Sequence, residues 1–163
     1  MATAEARLGS AGTLPPFRIR HADLGDVDAV AAIEATAFSN PWHPQTIRSL
    51  VAQGRARVLV GEDPSEGVVG YAVIWWVLDQ GELANLAVKE SYRGRGLGSA
   101  LLEQAMAEAW ENQVESLFLE VRESNRTAQS LYLARGFVQV SVRRDYYRNP
   151  REDALVLLKT LTD

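Results

Sequence analysis

Residues 71–78 are apolar without a break, the longest such run in the chain. A strand with one wet face alternates polar and apolar residues, so an unbroken run this long buries both faces. The same character appears in Val58-Leu59-Val60 before it and in Leu83-Ala84-Asn85-Leu86-Ala87-Val88 after it. The turn-like segment Glu62-Asp63-Pro64-Ser65-Glu66-Gly67 separates the first two. These runs predict neighbouring strands at the centre of a sheet whose two faces are both covered by helices. Eight apolar residues fall far short of the roughly 20 that a membrane-spanning helix needs.

The flanking sequence supplies the covers. Phe17-Arg18-Ile19-Arg20-His21 alternates and reads as a short strand. Val27, Val30, Ala31, Ile33 and Ala37 form a helical stripe that ends near Phe38, with Asp23 as its cap and Asp26 in its first turn. Asn40-Pro41 breaks it, and Pro44 opens a second helix to about Ala52. A long helix is predicted over residues 96–112, with Gly98, Leu101, Leu102, Ala105, Ala109 and Trp110 on its inner face and Ser99, Glu103 and Glu111 opposite. Residues 117–121 read as a strand. Ser124 or Asn125 caps a helix to Arg135, which Gly136 stops. Residues 137–143 and 154–161 are the last strands. The order β-α-α-β-β-β-α-β-α-β-β predicts an α/β (α+β) domain over residues 17–163, a mixed sheet covered by about four helices. Residues 1–16, rich in small residues, Gly and Pro, are expected to be a flexible tail; they contain no apolar core of signal-peptide length.

Composition removes whole classes of chemistry. The chain has no cysteine, which excludes a disulfide framework, a zinc ribbon, an iron–sulfur site and a cysteine nucleophile. Its two histidines, His21 and His43, do not make a multi-histidine metal site, so no metal is expected. Seventeen basic against 21 acidic residues gives a net charge of −4, which argues against direct nucleic-acid binding. A cytoplasmic protein without membrane contact, monomeric or weakly dimeric, is the expectation.

The segment that carries chemistry follows the third apolar run. There, Arg93-Gly94-Arg95-Gly96-Leu97-Gly98-Ser99 leads straight into the long helix. Glycines ahead of a helix let a ligand approach the backbone, and the free N–H groups of the first turn, with the positive dipole end behind them, form a cradle for a pyrophosphate. Flanking arginines add charge for the same anion. A P-loop would need Gly-Lys-Ser/Thr, which is absent. A dinucleotide fingerprint would need glycine where Ser99 stands and glycines directly after the strand, whereas Lys89 to Arg93 intervene. A solvated Gly/Arg loop without a ligand remains the third alternative.

Arg93-x-x-Gly96-x-Gly98 resembles the acyl-coenzyme A signature of the GNAT family of N-acetyltransferases, Q/R-x-x-G-x-G/A. The order of elements resembles that family as well, from about Phe17 to the C-terminus. The resemblance implies a splayed central sheet. It implies that the loop amides over Arg93, Gly94, Arg95, Gly96, Leu97, Gly98 and Ser99 bind coenzyme A. It also implies that Leu86, Ala87 and Val88 hydrogen-bond the pantetheine arm and the thioester.

Four further blocks, Leu119-Glu120-Val121-Arg122-Glu123-Ser124-Asn125, Leu131-Tyr132-Leu133-Ala134-Arg135-Gly136-Phe137, Arg143-Arg144-Asp145-Tyr146-Tyr147 and Arg151-Glu152-Asp153-Ala154, occur in fixed order. With Phe38-Ser39-Asn40-Pro41-Trp42 they resemble the members of the family that acetylate the N-terminal alanine of ribosomal proteins. The segment 147–151 departs from that pattern in being short and lacking glycine.

The resemblance implies acetyl-CoA as co-substrate and a ribosomal-protein or other protein N-terminus as acceptor. Glu120 matches the family's general base, Tyr132 its general acid, and Asn125 a coenzyme ligand that is also a helix cap. Trp42, Tyr146 and Tyr147 are candidates for the acceptor groove. Lysines, other N-termini or a small amine are alternative acceptors, and an inactive acyl-CoA-binding regulatory module is the alternative of another class. Trp75, Trp76 and Trp110 are expected as core or sheet-cover residues, Arg143 and Arg144 as structural or solvated groups, and the histidines without a role.

Overall fold

The computed structural model describes residues 17–161; the expected tail, residues 1–16, lies outside the described residues. Seven strands form one sheet: β1 (Arg18–His21), β2 (Arg57–Asp63), β3 (Gly67–Val77), β4 (Gln80–Val88), β5 (Ser116–Arg122), β6 (Val138–Tyr147) and β7 (Glu152–Thr160). The helices are α1 (Val27–Ala37), α2 (Pro44–Gln53), α3 (Leu97–Glu111) and α4 (Arg126–Ala134). Strand order is β1-β2-β3-β4-β5-β7-β6, antiparallel everywhere except between β4 and β5. None of the described helices is long and apolar enough to cross a membrane.

The apolar run does what its length requires. On β3, Tyr71 and Val73 join the core under α1 and α2, while Val69, Ala72 and Ile74 join the core under α3. The strand is therefore buried on both faces over residues 69–74, but the end of the apolar run is not: Val77 is 75% and Leu78 86% exposed where the chain turns toward β4. Ahead of α1, Asp23 caps a short 3-10 turn (Leu24–Asp26) rather than the helix itself, and Asp26 returns the bond to the Asp23 backbone.

Trp110, expected inside, is 42% exposed. One residue past buried Ala109 turns a helix by about 100°, enough to swing its side chain out. Glu108 takes the inner seat and meets His21 Nε2 at 2.6 Å, so this histidine has a structural partner. The other, His43, accepts from the Gln45 amide and caps α2. Strand β6 runs past Arg143 to Tyr147 because a bulge absorbs the break: Asp145 takes φ 51° and its amide donates to Asp153 at 2.9 Å.

Two irregularities shape the centre of the sheet and the start of α3. Residue Ala84 is one more on β4 than β3 can match, a bulge between Leu83 and Asn85. Beyond it β4 and β5 part, since they pair only over residues 80–82 and 116–118. The second irregularity is a hollow. A Cβ on Gly61 would lie 2.6 Å from Leu97, and one on Gly70 would lie 2.9 Å from it. The two glycines open the space into which Leu97, buried at the first position of α3, is wedged. Gly61→Ala should overpack this contact and lower stability by about 1–3 kcal/mol. Thermal unfolding checks it: the melting temperature falls if Leu97 is wedged there, and stays at the parent value if it is not.

Candidate active site

At the end of β4 the Lys89 amide donates to Val69, and Arg93 Nε donates to the Val88 carbonyl at 3.0 Å. These bonds set the loop that leads into α3. Gly94 and Gly96 take φ of 76° and 88°, left-handed values that disfavour side chains. Gly96 is the N-cap of α3 and offers no side chain to the helix; the helical ladder begins with Ala100 donating to Gly96 at 3.0 Å. The amides of Leu97, Gly98 and Ser99 thus precede the ladder, with the positive helix end behind them. A Cβ on Gly94 would meet nothing within 4 Å, so the loop's outer side is open. Arg95 lies over the Tyr92 ring at 4.6 Å, close to the cradle. This arrangement fits a pyrophosphate. One sequence expectation is refined: Arg93 spends its Nε on the strand end, so it braces the loop as well as charging it.

Where β4 and β5 separate, a cleft of about 840 Å³ opens. Glu120, Tyr132, Leu86, Asn125, Trp42, Tyr146 and Tyr147 all line it, although they come from different strands, helices and loops of the fold. Alternation on β5 turns Leu119 and Val121 into the core beneath α3 and leaves Glu120 on the other face with Arg122. The Glu120 side chain is 13% exposed and lies 3.2 Å from Arg143 Nε. Arg143, expected to be structural or solvated, is therefore the ion-pair partner of this carboxylate. The Glu120 hydrogen bond, followed by burial, raises the Tyr146 phenol above its ordinary value. Burial pushes the Tyr147 phenol up to about 12.

Tyr132 is nearly enclosed, edge-on to Phe137 with ring centroids 5.8 Å apart. Burial raises its phenol well above the ordinary value near 10, so it carries its proton throughout the neutral range. Asn125 Oδ1 accepts from the Ala128 amide at 3.1 Å, which leaves its side-chain NH2 as the group it can offer a ligand. Trp42 stacks on Trp75, and Trp75 Nε1 donates to Glu82 at 3.0 Å.

Among the cleft residues that the sequence reading did not single out are Arg122 and Glu34. Arg122 joins the loops on either side: it donates to Ser39 Oγ at 2.7 Å, to the Arg148 carbonyl at 3.0 Å and to the Pro150 carbonyl at 3.1 Å. Its guanidinium also covers the Tyr147 ring at 4.3 Å. Its spacing from Glu120, two residues along an alternating strand, was the available signal. Glu34, 1% exposed, stands on the apolar stripe of α1, where a carboxylate is out of place. The missing glycine in 147–151 has a stand-in: Asn149 adopts φ 52°, a conformation its short polar side chain tolerates.

Arg122→Ala removes three hydrogen bonds to the loops. Amide exchange should quicken over residues 38–42 and 147–151 and stay unchanged in α3. Unaltered exchange in both loops would show that Arg122 does not hold them.

Comparison with known proteins gives a consistent picture. Residues 27–137 match the profile of the Acetyltransferase (GNAT) family. The [ribosomal protein bS18]-alanine N-acetyltransferase of Escherichia coli (strain K12) is 37% identical over 134 residues, covering 81% of this chain and 89% of the relative. The enzyme of that name from Haemophilus influenzae is 35% identical over 135 residues, covering 81% of this chain and 90% of its own length. The crystal structure of the ribosomal-protein-S18-alanine N-acetyltransferase from Escherichia coli superposes with a TM-score of 0.81 at 33% identity, covering 90% of this chain and 95% of that one.

Proposed function

This chain belongs to the acetyltransferase (GNAT) family, and from that premise we propose that it transfers acetyl from acetyl-CoA to the N-terminal alanine of ribosomal protein bS18. The observation that carries the reading is the joint presence of Glu120 and Tyr132 in the cleft between β4 and β5. The relatives named for this acceptor, at 35–37% identity over most of the chain, support the choice of substrate.

Bound acetyl-CoA supplies an acetyl group already activated as a thioester. The amides at the start of α3 hold its pyrophosphate, with Arg95 adding charge. The edge of β4 that β5 leaves unpaired offers backbone groups to the pantetheine arm and the thioester carbonyl. An N-terminal ammonium has a pKa near 8 and must lose a proton before it can attack. Glu120 takes that proton, directly or through water. The amine then attacks the thioester carbon and the carbon–sulfur bond breaks. Tyr132 gives its proton to the departing sulfur, and the nitrogen, now bonded to the acetyl carbon, gives up its second proton to restore the phenol; thiolates leave readily, so the demand on this acid is modest. No acyl-enzyme is needed, and with no cysteine in the chain none forms on a thiol. Trp42, Tyr146 and Tyr147 line the acceptor's path.

Free thiol release from acetyl-CoA should rise when a peptide beginning with the bS18 N-terminal alanine is added. Release with small amines or internal lysines but not with that peptide would replace the acceptor; binding of acetyl-CoA without any release would make the protein a binding module. Glu120→Gln should slow transfer on the order of a hundredfold, most severely below about pH 8, where the amine is protonated. A pH–rate profile parallel to the parent's would remove Glu120 from the role of base. Tyr132→Phe should slow transfer roughly tenfold or more. Because burial raises the Tyr132 phenol, the parent rate should show no alkaline fall from its ionisation up to about pH 10. A decline below that pH that Tyr132→Phe abolishes would contradict this.

A further inference from the structure

We infer that Glu34 is a positioning residue that aligns the two substrates by fixing both walls of the cleft with one carboxylate. The inference rests on the acyl-transfer reading above and extends it to a residue that the mechanism does not use.

Glu34 lies on α1 beneath the sheet, 1% exposed, and its carboxylate reaches the cleft wall. Oε1 accepts from Asn85 Nδ2 at 2.7 Å and from the Trp42 amide at 3.1 Å. Oε2 accepts from the Tyr71 hydroxyl and from Asn85 Nδ2 at 2.9 Å. Each oxygen has two contacts, so the group is saturated and unsuited to take a proton from an incoming amine. All its donors are neutral, so each is needed to keep a buried carboxylate satisfied.

The identity of those donors gives the group its role. Asn85 directly follows the bulge residue Ala84. Ala84 packs with the core beneath α1, and Asn85 also faces α1, because a bulge turns consecutive residues to one side. The flanking residues Leu83 and Leu86 pack on the α3 side. Glu34 therefore holds the first residue beyond the bulge: Asn85 pairs with Val73, which also lies in the core beneath α1. Residues 86–88 beyond the bulge are the stretch assigned to the thioester. The Trp42 amide belongs to the loop between α1 and α2, the wall assigned to the acceptor. A change at Glu34 shifts one wall relative to the other, and misplacement by about 1 Å costs on the order of a hundredfold in rate.

Three variants test this. Glu34→Ala should lower kcat on the order of a hundredfold and raise the KM for the alanine-starting peptide, while acetyl-CoA affinity, set at the distant cradle, stays within a few-fold of the parent. Glu34→Gln keeps a carbonyl oxygen for Asn85 or Trp42 and should recover most of both losses. Val30→Ala, on the same helix and equally buried but absent from the cleft wall, should lower the melting temperature without moving kcat or KM. If Glu34→Ala does not fold, Tyr71→Phe decides: its hydroxyl bonds Glu34 and does not line the cleft, so a lower kcat there supports the inference. Parent-like kcat and KM in Glu34→Ala, or in Tyr71→Phe in its place, would overturn it, as would the same kinetic losses in Val30→Ala. Amide exchange separates this from the function itself. The Trp42 backbone amide and the Asn85 side-chain NH2 should lose protection together in Glu34→Ala and keep it in Val30→Ala, whether or not the parent acetylates the peptide. A parent that leaves the peptide unmodified overturns the acceptor; retained protection of the Trp42 amide and the Asn85 side-chain NH2 in Glu34→Ala overturns the role of Glu34.

Discussion

Everything distinctive about this fold depends on the early divorce of β4 from β5. Two parallel strands at the centre of a sheet ordinarily satisfy each other's backbone along their length. Here they meet over three residues each and then separate. The cost is a pair of inner edges with unpaired N–H and C=O groups, the kind of exposure that proteins usually cover. A ligand that lies along β4 restores partners to one edge, and an acceptor that enters against β5 reaches the other. The bulge at Ala84 bends β4 away, and the irregularity at Arg143–Tyr147 bends β6 on the far side. The sheet is therefore broken at its centre, with Glu120 on β5 beside the break.

Charge is distributed to suit two unlike substrates. The net charge of −4 conceals a division. Arg93 and Arg95 flank the loop whose free amides suit an anion, whereas Glu34, Glu82 and Glu120 line the cleft together with Arg122 and Arg148. None of the three carboxylates is bare. Glu34 is held by neutral donors, Glu82 by the Trp75 indole, and Glu120 by Arg143 and Tyr146. An ammonium entering the cleft thus meets a carboxylate whose present cation, Arg143, has 56% of its side chain exposed and can give way toward water. The arginine two residues along the strand from Glu120, Arg122, is only 20% exposed and bonded to both loops, and has no such freedom.

How much of this could be read in advance depended on distance along the chain. Element order, the cradle and the Asn125 cap were legible because each is a local pattern of a few residues: an apolar run, glycines before a helix, an Asn at a helix start. Glu120 and Tyr132 were legible as candidates only through resemblance to a family. What stayed hidden was the choice of partners across the sheet. Glu34 meets Tyr71 and Asn85 from 37 and 51 residues away, and His21 meets Glu108 from 87. Arg143 offered two readings, and only the geometry of β6 against β5 and β7 brings it to Glu120. Trp110 was misplaced because an apolar stripe has blurred edges, and at such an edge neighbouring tertiary contacts decide. Glu34 is the instructive case, since a carboxylate among Val30, Ile33 and Ala37 violates the local pattern. Such violations are where function is most often found.

The start of α3 shows the same trade in reverse, where a stabilising feature is absent. A helix usually gains about 1 kcal/mol from a Ser, Thr, Asp or Asn cap that bonds its first amides. Gly96 forgoes that bond, and at φ 88° it holds a conformation that those residues reach only at a cost. A capping side chain would occupy the same amides that an anion needs. The helix end is fixed instead from beneath, by Leu97 seated against Gly61 and Gly70. An apolar anchor consumes no hydrogen-bonding group, so the helix end stays rigid while its donors remain free. That separation of tasks, packing for position and backbone for recognition, explains why two glycines on β2 and β3 matter to a cradle on another element.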